Sequence, residues 1–165
     1  IRDSYLKMMM TATESIDIQT PYFIPDESIL NVLKIAAGSG VQVRIMVPSR
    51  PDHPFVYWAN YSYLGELLRA GAKCYQYMDG FLHSNGIVVD KEAYCYGTAN
   101  MDIRSFFLNF EINAIVLGKK EVAKMQELFE ADISKCRVLS LEEYDKRGLF
   151  IRIKERISRM LSPIL

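Results

Sequence analysis

FLHSNGIVVDKEAYCYGTANMDIRSFFLNFEIN, residues 81–113, is the most informative stretch of the chain. It reads as three short strands joined by turns. Side chains alternate with period two along a strand, so His83 and Asn85 leave one face of a strand through 83–89. Asp90 has the opposite parity and stands at the strand end. His83, Asn85, Thr98, Asn100 and Glu111 are the polar residues expected to converge. Val88, Val89, Tyr94, Tyr96, Phe110, Ile112 and Ile115 are expected to supply the apolar filling.

Upstream, residues 2–13 place Tyr5, Met8, Met9 and Ala12 at helical spacing. SIDIQT (15–20) alternates as a strand does, and Pro21 and Pro25 then stop regular structure. Tyr22 and Phe23 fall at the strand end. Asp26, or else Ser28, caps a helix over about 27–37. VQVRIMV (41–47) is a near-continuous apolar strand, which predicts burial between layers. This strand–helix–strand order predicts a parallel crossover. SRPDHPF (49–55) is a polar, proline-broken loop after a buried strand, a common position for functional residues. On sequence alone, its His53 is an exposed loop histidine. A helix over about 55–70 shows Val56, Tyr57, Tyr61, Leu64, Leu67 and Leu68 on one face, and KCYQY (73–77) is a strand.

Downstream of the central stretch, 109–117 is a further strand. Residues 119–135 form a helix with Val122, Met125, Leu128, Phe129 and Ile133 inward. Ser140 with Glu143 resembles a capping box. From Leu149 to about 162 a basic amphipathic helix is predicted, with Phe150, Ile153, Ile157, Met160 and Ile164 in one stripe. Its favoured arrangement is a helix docked on the domain with the basic face in water. Basic residues flanking an apolar stripe also suit anionic lipid headgroups.

The chain has 165 residues, half of them hydrophobic, enough for one domain with a sizeable core. Twenty basic residues balance twenty acidic ones, which does not point to a nucleic-acid partner. Three cysteines, without metal-ligand spacing, predict buried free thiols. No apolar run approaches the length of a membrane span. The chain opens mid-helix without an initiator Met, which suggests a piece of a longer protein. The alternation of strands and helices predicts an α/β fold, a mixed sheet of about six to eight strands with helices on both faces.

The central stretch resembles the HKD motif of the phospholipase D superfamily, His-x-Lys-x4-Asp-x6-Gly-Ser/Thr-x-Asn. His83, Asp90, Gly97, Thr98 and Asn100 fall in register. TPYFIPDESIL (20–30), SRPDHPFVYWANYSYLGELL (49–68), AGAKCYQYMDGFLHS (70–84), GTANMDIRSFFLNFE (97–111) and RMLSPIL (159–165) are similar to the C-terminal half of bacterial cardiolipin synthases. The family Lys is replaced by Asn85, and Gly86 follows where Thr is usual.

The resemblance implies a phospholipase D-like domain, half of a two-motif active site. The other half would be an upstream phospholipase D half or a second copy. It implies phosphatidyl transfer through a phosphohistidine, making cardiolipin from two phosphatidylglycerol molecules, with no metal and no organic cofactor. His83 would be nucleophile or general acid. Glu111 would orient the imidazole, and Asp90 would support the catalytic group or, more simply, fix local structure. Asn85, Thr98 and Asn100 would bind the phosphate, Gly97 would permit close backbone approach, and His53 and Tyr22 would line the cleft. Implied partners are phosphatidylglycerol, other anionic phospholipids and a membrane surface, with no nucleic acid. The implied location is the bacterial cell membrane for the parent, with this piece alone soluble. Two further readings stay open: a degenerate domain that binds phospholipid or dimerises without turnover, which Asn85 supports best, and a single-motif nuclease acting as a homodimer.

Overall fold

The computed structural model describes residues 1–50 and 52–162. Its centre is a seven-stranded mixed sheet. The first half builds the parallel part: helix α1 (Arg2–Met10), strand β1 (Ser15–Gln19), a two-residue strand β2 (Phe23–Ile24), helix α2 (Glu27–Gly38), β3 (Gln42–Pro48), α3 (Pro54–Arg69) and β4 (Lys73–Tyr77). β1, β3 and β4 run parallel, joined by the two crossover helices. The Asp26 side chain accepts from the Ile29 amide and starts α2.

The second half adds antiparallel strands: β5 (Gly86–Val89), β6 (Ala93–Gly97), a two-residue β7 (Met101–Asp102), helix α4 (Ile103–Phe107) and β8 (Asn113–Leu117). Then follow α5 (Lys119–Ile133), β9 (Cys136–Leu139), α6 (Leu141–Asp145) and α7 (Leu149–Met160). The spatial order is β8-β6-β5-β1-β3-β4-β9, and β2 pairs with β7 in a separate two-stranded ribbon.

Parity on β1 separates the two layers. Ile16 and Ile18 join Tyr5, Met9, Ile29, Leu33, Leu64 and Leu67 in the main core, beneath α1, α2 and α3. Asp17 and Gln19 face the opposite layer, where α5 lies. There Arg44 makes two bonds to Asp17 (2.6 and 2.7 Å) and one to Glu130 (2.6 Å). Gln126 donates to both carboxylates, and the guanidinium stacks over Phe129. A buried charge left unpaired is costly, so this closed network fixes where α5 sits. The free Cys74 and Cys95 are buried.

Several expectations need correction. The strand expected over 83–89 begins only at Gly86, because Gly86 pairs with Gln19, the last residue of β1, and Pro21 removes any partner further along. His83 and Asn85 therefore stand in an irregular segment. The strand expected over 109–117 begins at Asn113; residues 109–112 are irregular and follow helix α4, which the Asp102 side chain caps. Phe110, Ile112 and Ile115 are exposed rather than core, because β8 is the sheet edge and 108–112 a surface turn. Leu128 also faces outward. β9 was not anticipated; it is an edge strand with only Leu139 buried, too short for its alternation to show. In α7 the apolar stripe faces solvent and the polar side is buried. Ile164 lies outside the described residues.

Candidate functional site

The parallel strands β1, β3 and β4 all end at one edge of the sheet, and that edge is where open α/β sheets hold ligands. β5 starts there and β6 ends there, since Gly86 pairs with both Gln19 and Tyr96. Four connections, residues 20–25, 49–50 with 52–53, 78–85 and 98–112, consequently gather at one end. Every residue singled out in the sequence except Asp90 lies on them or at their strand junctions.

One hydroxyl organises this end. The buried Thr20 Oγ1 accepts from the Met101 amide at 3.2 Å and donates within reach of Tyr22 O (3.1 Å) and Asn85 Oδ1 (3.3 Å). Asn85 Nδ2 donates to Thr98 O (3.2 Å), and the Gly97 amide donates to Asn85 O. Asn85 thus ties the end of β1 to the Gly-Thr-Ala-Asn loop. Thr98 is itself clasped to Ile112: its amide donates to Ile112 O, and its hydroxyl accepts from the Ile112 amide, each at 3.0 Å. A methyl at Gly97 would come within 2.1 Å of Ile112 O and 2.6 Å of the Asn113 Cα. The close approach that Gly97 permits is therefore to the start of β8.

A cavity of about 340 Å3 opens beside this frame. Tyr22, Ile24, His53, Val56, Asn100, Asp102, Arg104 and Asn109 wall it. Tyr22 and His53, expected to line the cleft, and Asn100, expected to bind the phosphate, are thus neighbours. The buried Asn60 of α3 holds the Tyr22 loop, accepting from the Phe23 amide (2.9 Å) and donating to Pro21 O (3.0 Å). The Tyr22 hydroxyl bonds to Asp52, and burial, then that bond, pushes its pKa up to about 12. The Asn100 amide donates to Ser105 Oγ, while Asn100 Oδ1 is buried without a partner among the described residues. Burial raises the Asp102 carboxyl above the ordinary range, and the charge of Glu111 adds to this against the Ser105 amide.

His83 is exposed and makes no hydrogen bond among the described residues; its ring stands edge-on to Phe81, with centroids 6.0 Å apart. Phe81 in turn shares a shallow recess with Pro21, Pro48, Asp52 and Asn60. His83 is not among the residues that wall the larger cavity. Glu111 accepts from Asn109 Nδ2 at 3.2 Å and has no bond to His83. Asp90 lies just past the far end of β5, at the opposite end of that strand from His83. Its carboxylate accepts from the amides of Thr13, Glu14 and Ser15, each at 2.8 Å, and from the Thr13 hydroxyl. Sequence reading did not single out Thr20, Asn60, Asp102 or Arg104. Arg104 carried the only available signal: a cation four residues past Asn100 in a motif short of its lysine. Among the described residues, no group of three His, Cys, Asp or Glu side chains is placed to hold a metal ion.

A mixed α/β sheet whose loops gather an exposed histidine and a Gly-Thr-x-Asn turn at one end has the features of a phospholipase D-like domain. The family model described as "Cardiolipin synthase, PLD-like domain" matches residues 5–133, and the chain belongs to that family. It is 53% identical over all 165 residues to the major cardiolipin synthase ClsA of Bacillus subtilis and 52% identical to a cardiolipin synthase of Oceanobacillus iheyensis. In both cases it spans 34% of the relative's length. Among solved structures it is similar in fold to a phosphatidylserine synthase of Haemophilus influenzae (TM-score 0.76, 15% identity, 97% of this chain and 44% of that one). It is also similar to Nuc, a phospholipase D family member from Salmonella typhimurium (TM-score 0.73, 22% identity, 84% and 90%).

Proposed function

We propose that the chain supplies one half of an active site for phosphatidyl transfer, making cardiolipin from two phosphatidylglycerol molecules. The observation that carries this reading is the exposed, unbonded His83 at the loop end of the sheet, within a motif whose family is shown. A neutral imidazole nitrogen of His83 attacks phosphorus. The P–N bond forms as the P–O bond to glycerol breaks, and an acid on the second half protonates the leaving oxygen. That same group then takes the proton from the glycerol hydroxyl of a second phosphatidylglycerol. The hydroxyl oxygen attacks the phosphohistidine, restoring His83 and releasing cardiolipin. With the opposite division of labour, His83 is the acid and the partner motif the nucleophile.

Charge builds on the non-bridging phosphate oxygens during transfer, and preorganised donors stabilise it. Asn100, with Arg104 beside it in the cavity, suits that task. Arg104 brings the positive charge that Asn85 lacks. Asn85 and Thr98 act as the frame that holds the loop, since the Asn85 side chain is already bonded to Thr98 O and the Thr98 hydroxyl to the Ile112 amide. Phe107, Leu108, Phe110 and Ile112, exposed beside the site, suit cover by the second half. Rapid acid-free quenching after incubation with phosphate-labelled phosphatidylglycerol tests the reading. Label on His83 that is stable to base and labile to acid supports it, and absence of label from either half contradicts it. The tethering of Asn85 also favours a second reading, a domain that binds phospholipid without turnover, for which binding would persist with no product.

A further inference from the structure

α7 is mounted the wrong way round for a core helix. Glu155 and Ser158 are buried (3% and 1% exposed), whereas Leu149, Phe150, Ile153, Ile157 and Met160 are 43–83% exposed. At about 100° per residue these five side chains span roughly a third of the helix circumference, facing away from the buried side. The inversion is built by specific bonds. Glu155 accepts from Arg147 Nε (2.6 Å) and Nη2 (2.9 Å) and from the Tyr144 hydroxyl (3.2 Å). The Arg147 guanidinium stacks on the Tyr144 ring. That ring occupies the space a side chain at Gly65 would need, so α6 sits tightly on α3. Arg159 pairs with Glu66 and lies over Tyr63. The polar side of α7 is thus committed to the domain, and the apolar side has nothing to cover it among the described residues.

Charge frames the apolar stripe. On the helical wheel, Lys154 borders one side, and Arg152, Arg156 and Arg159 border the other. The second border continues into a groove of about 350 Å3 lined by those three arginines with Arg69, Arg147, Glu66, Asp145 and Glu155. Arg156 has no carboxylate partner among the described residues. Lys154 Nζ lies 5.3 Å over Trp58, in the first turns of α3, so the beginning of α7 lies toward the loop end of the sheet. No helix of the described residues is long and apolar enough to cross a bilayer. An exposed apolar stripe with cations along both borders is complementary to a surface that is apolar in depth and anionic at its rim.

We infer that α7 docks the domain onto an anionic lipid bilayer. Leu149, Phe150, Ile153, Ile157 and Met160 enter the headgroup–acyl boundary, and Lys154, Arg152 and Arg156 lie among the phosphates. This docking is independent of the transfer chemistry proposed above, and an inactive His83→Ala chain binds equally well. The test is co-flotation of the full chain with vesicles of phosphatidylglycerol and of phosphatidylcholine, alongside a Phe150→Gln/Met160→Gln double variant. Both substituted side chains are exposed, and circular dichroism and thermal melting verify that the fold is kept. The expected result is binding to phosphatidylglycerol vesicles that weakens with salt, is much weaker on phosphatidylcholine, and falls at least about tenfold in the double variant. Failure of the folded chain to bind phosphatidylglycerol vesicles would overturn the inference, as would binding that the double variant leaves intact. It would equally be overturned by self-association in sedimentation velocity that the double variant abolishes, which would make the stripe a contact between copies.

Discussion

Asp90 shows how a motif residue can do its work away from the chemistry. It and Lys91 both adopt positive φ (52° and 56°), forming the tight turn between β5 and β6. That conformation costs a non-glycine residue about 1–2 kcal/mol. The three amides that Asp90 collects at the start of β1 offset this cost and lock the hairpin to its neighbour strand. Burial alone would raise its carboxyl; the amides of Ser15, Thr13 and Glu14 together outweigh burial and hold it below the ordinary value. The unfolded chain therefore binds the proton more readily, so this stabilisation is complete above about pH 4 and is lost as pH falls through the folded-state value. Asp90→Asn should remove that part of the acid dependence and lower stability by about 1–3 kcal/mol at neutral pH, read from urea unfolding across pH 7 to 3. Asn85 gives a second prediction. In the completed protein, Asn85→Lys should leave the transfer rate little changed, because Arg104 already brings the positive charge, whereas Arg104→Ala should lower it by about a hundredfold to a thousandfold, the worth of one preorganised phosphate donor, in initial-velocity assays. A large gain from Asn85→Lys would assign the charge to position 85 instead. The register of His83, Gly97, Thr98 and Asn100 was legible in the sequence. The identity of what each touches was not, because Thr98 is set by Ile112, 14 residues away, Gly97 by Ile112 and Asn113, and Asn85 by Thr20.

Among the elements, α7 separates what a sequence states from what it withholds. Its periodicity is plain, and so is its apolar stripe. The direction in which that stripe points depends on a pair formed by Glu155 and Arg147, and no local pattern reveals a buried carboxylate. Glu155→Ala should leave Arg147 without its partner in a largely buried position and cost about 3–5 kcal/mol of the helix's attachment. Hydrogen exchange would show it as lost protection over 149–160 with the sheet unaffected. The same reasoning explains α5. Its inward residues Val122 and Phe129 were legible from spacing, but the Asp17–Arg44–Glu130 network that seats it joins three elements distant in sequence. Short elements escaped for a different reason. α4 and β9 have five and four residues, too few for a period to register.

For the molecule as a whole, the parallel crossover from β1 to β3 followed from strand–helix–strand alternation, and the short strands of the central stretch from the turns that part them. The placing of β1 at the junction between the parallel and antiparallel parts did not, because strand order rests on pairings between distant segments. That junction positions the site. It brings Thr20 beside Asn85 and sets His83 on the loop after β4, at the end of the sheet where the loops after β1 and β3 also lie. The central claim is that His83 reacts there as half of a transfer site. The most direct test completes the chain with the remaining two thirds of the Bacillus subtilis relative and measures cardiolipin formed from phosphatidylglycerol vesicles. The chain with His83 should form product, and His83→Ala, folded and vesicle-bound to the same extent, should form none above background. Equal product from both would contradict the account.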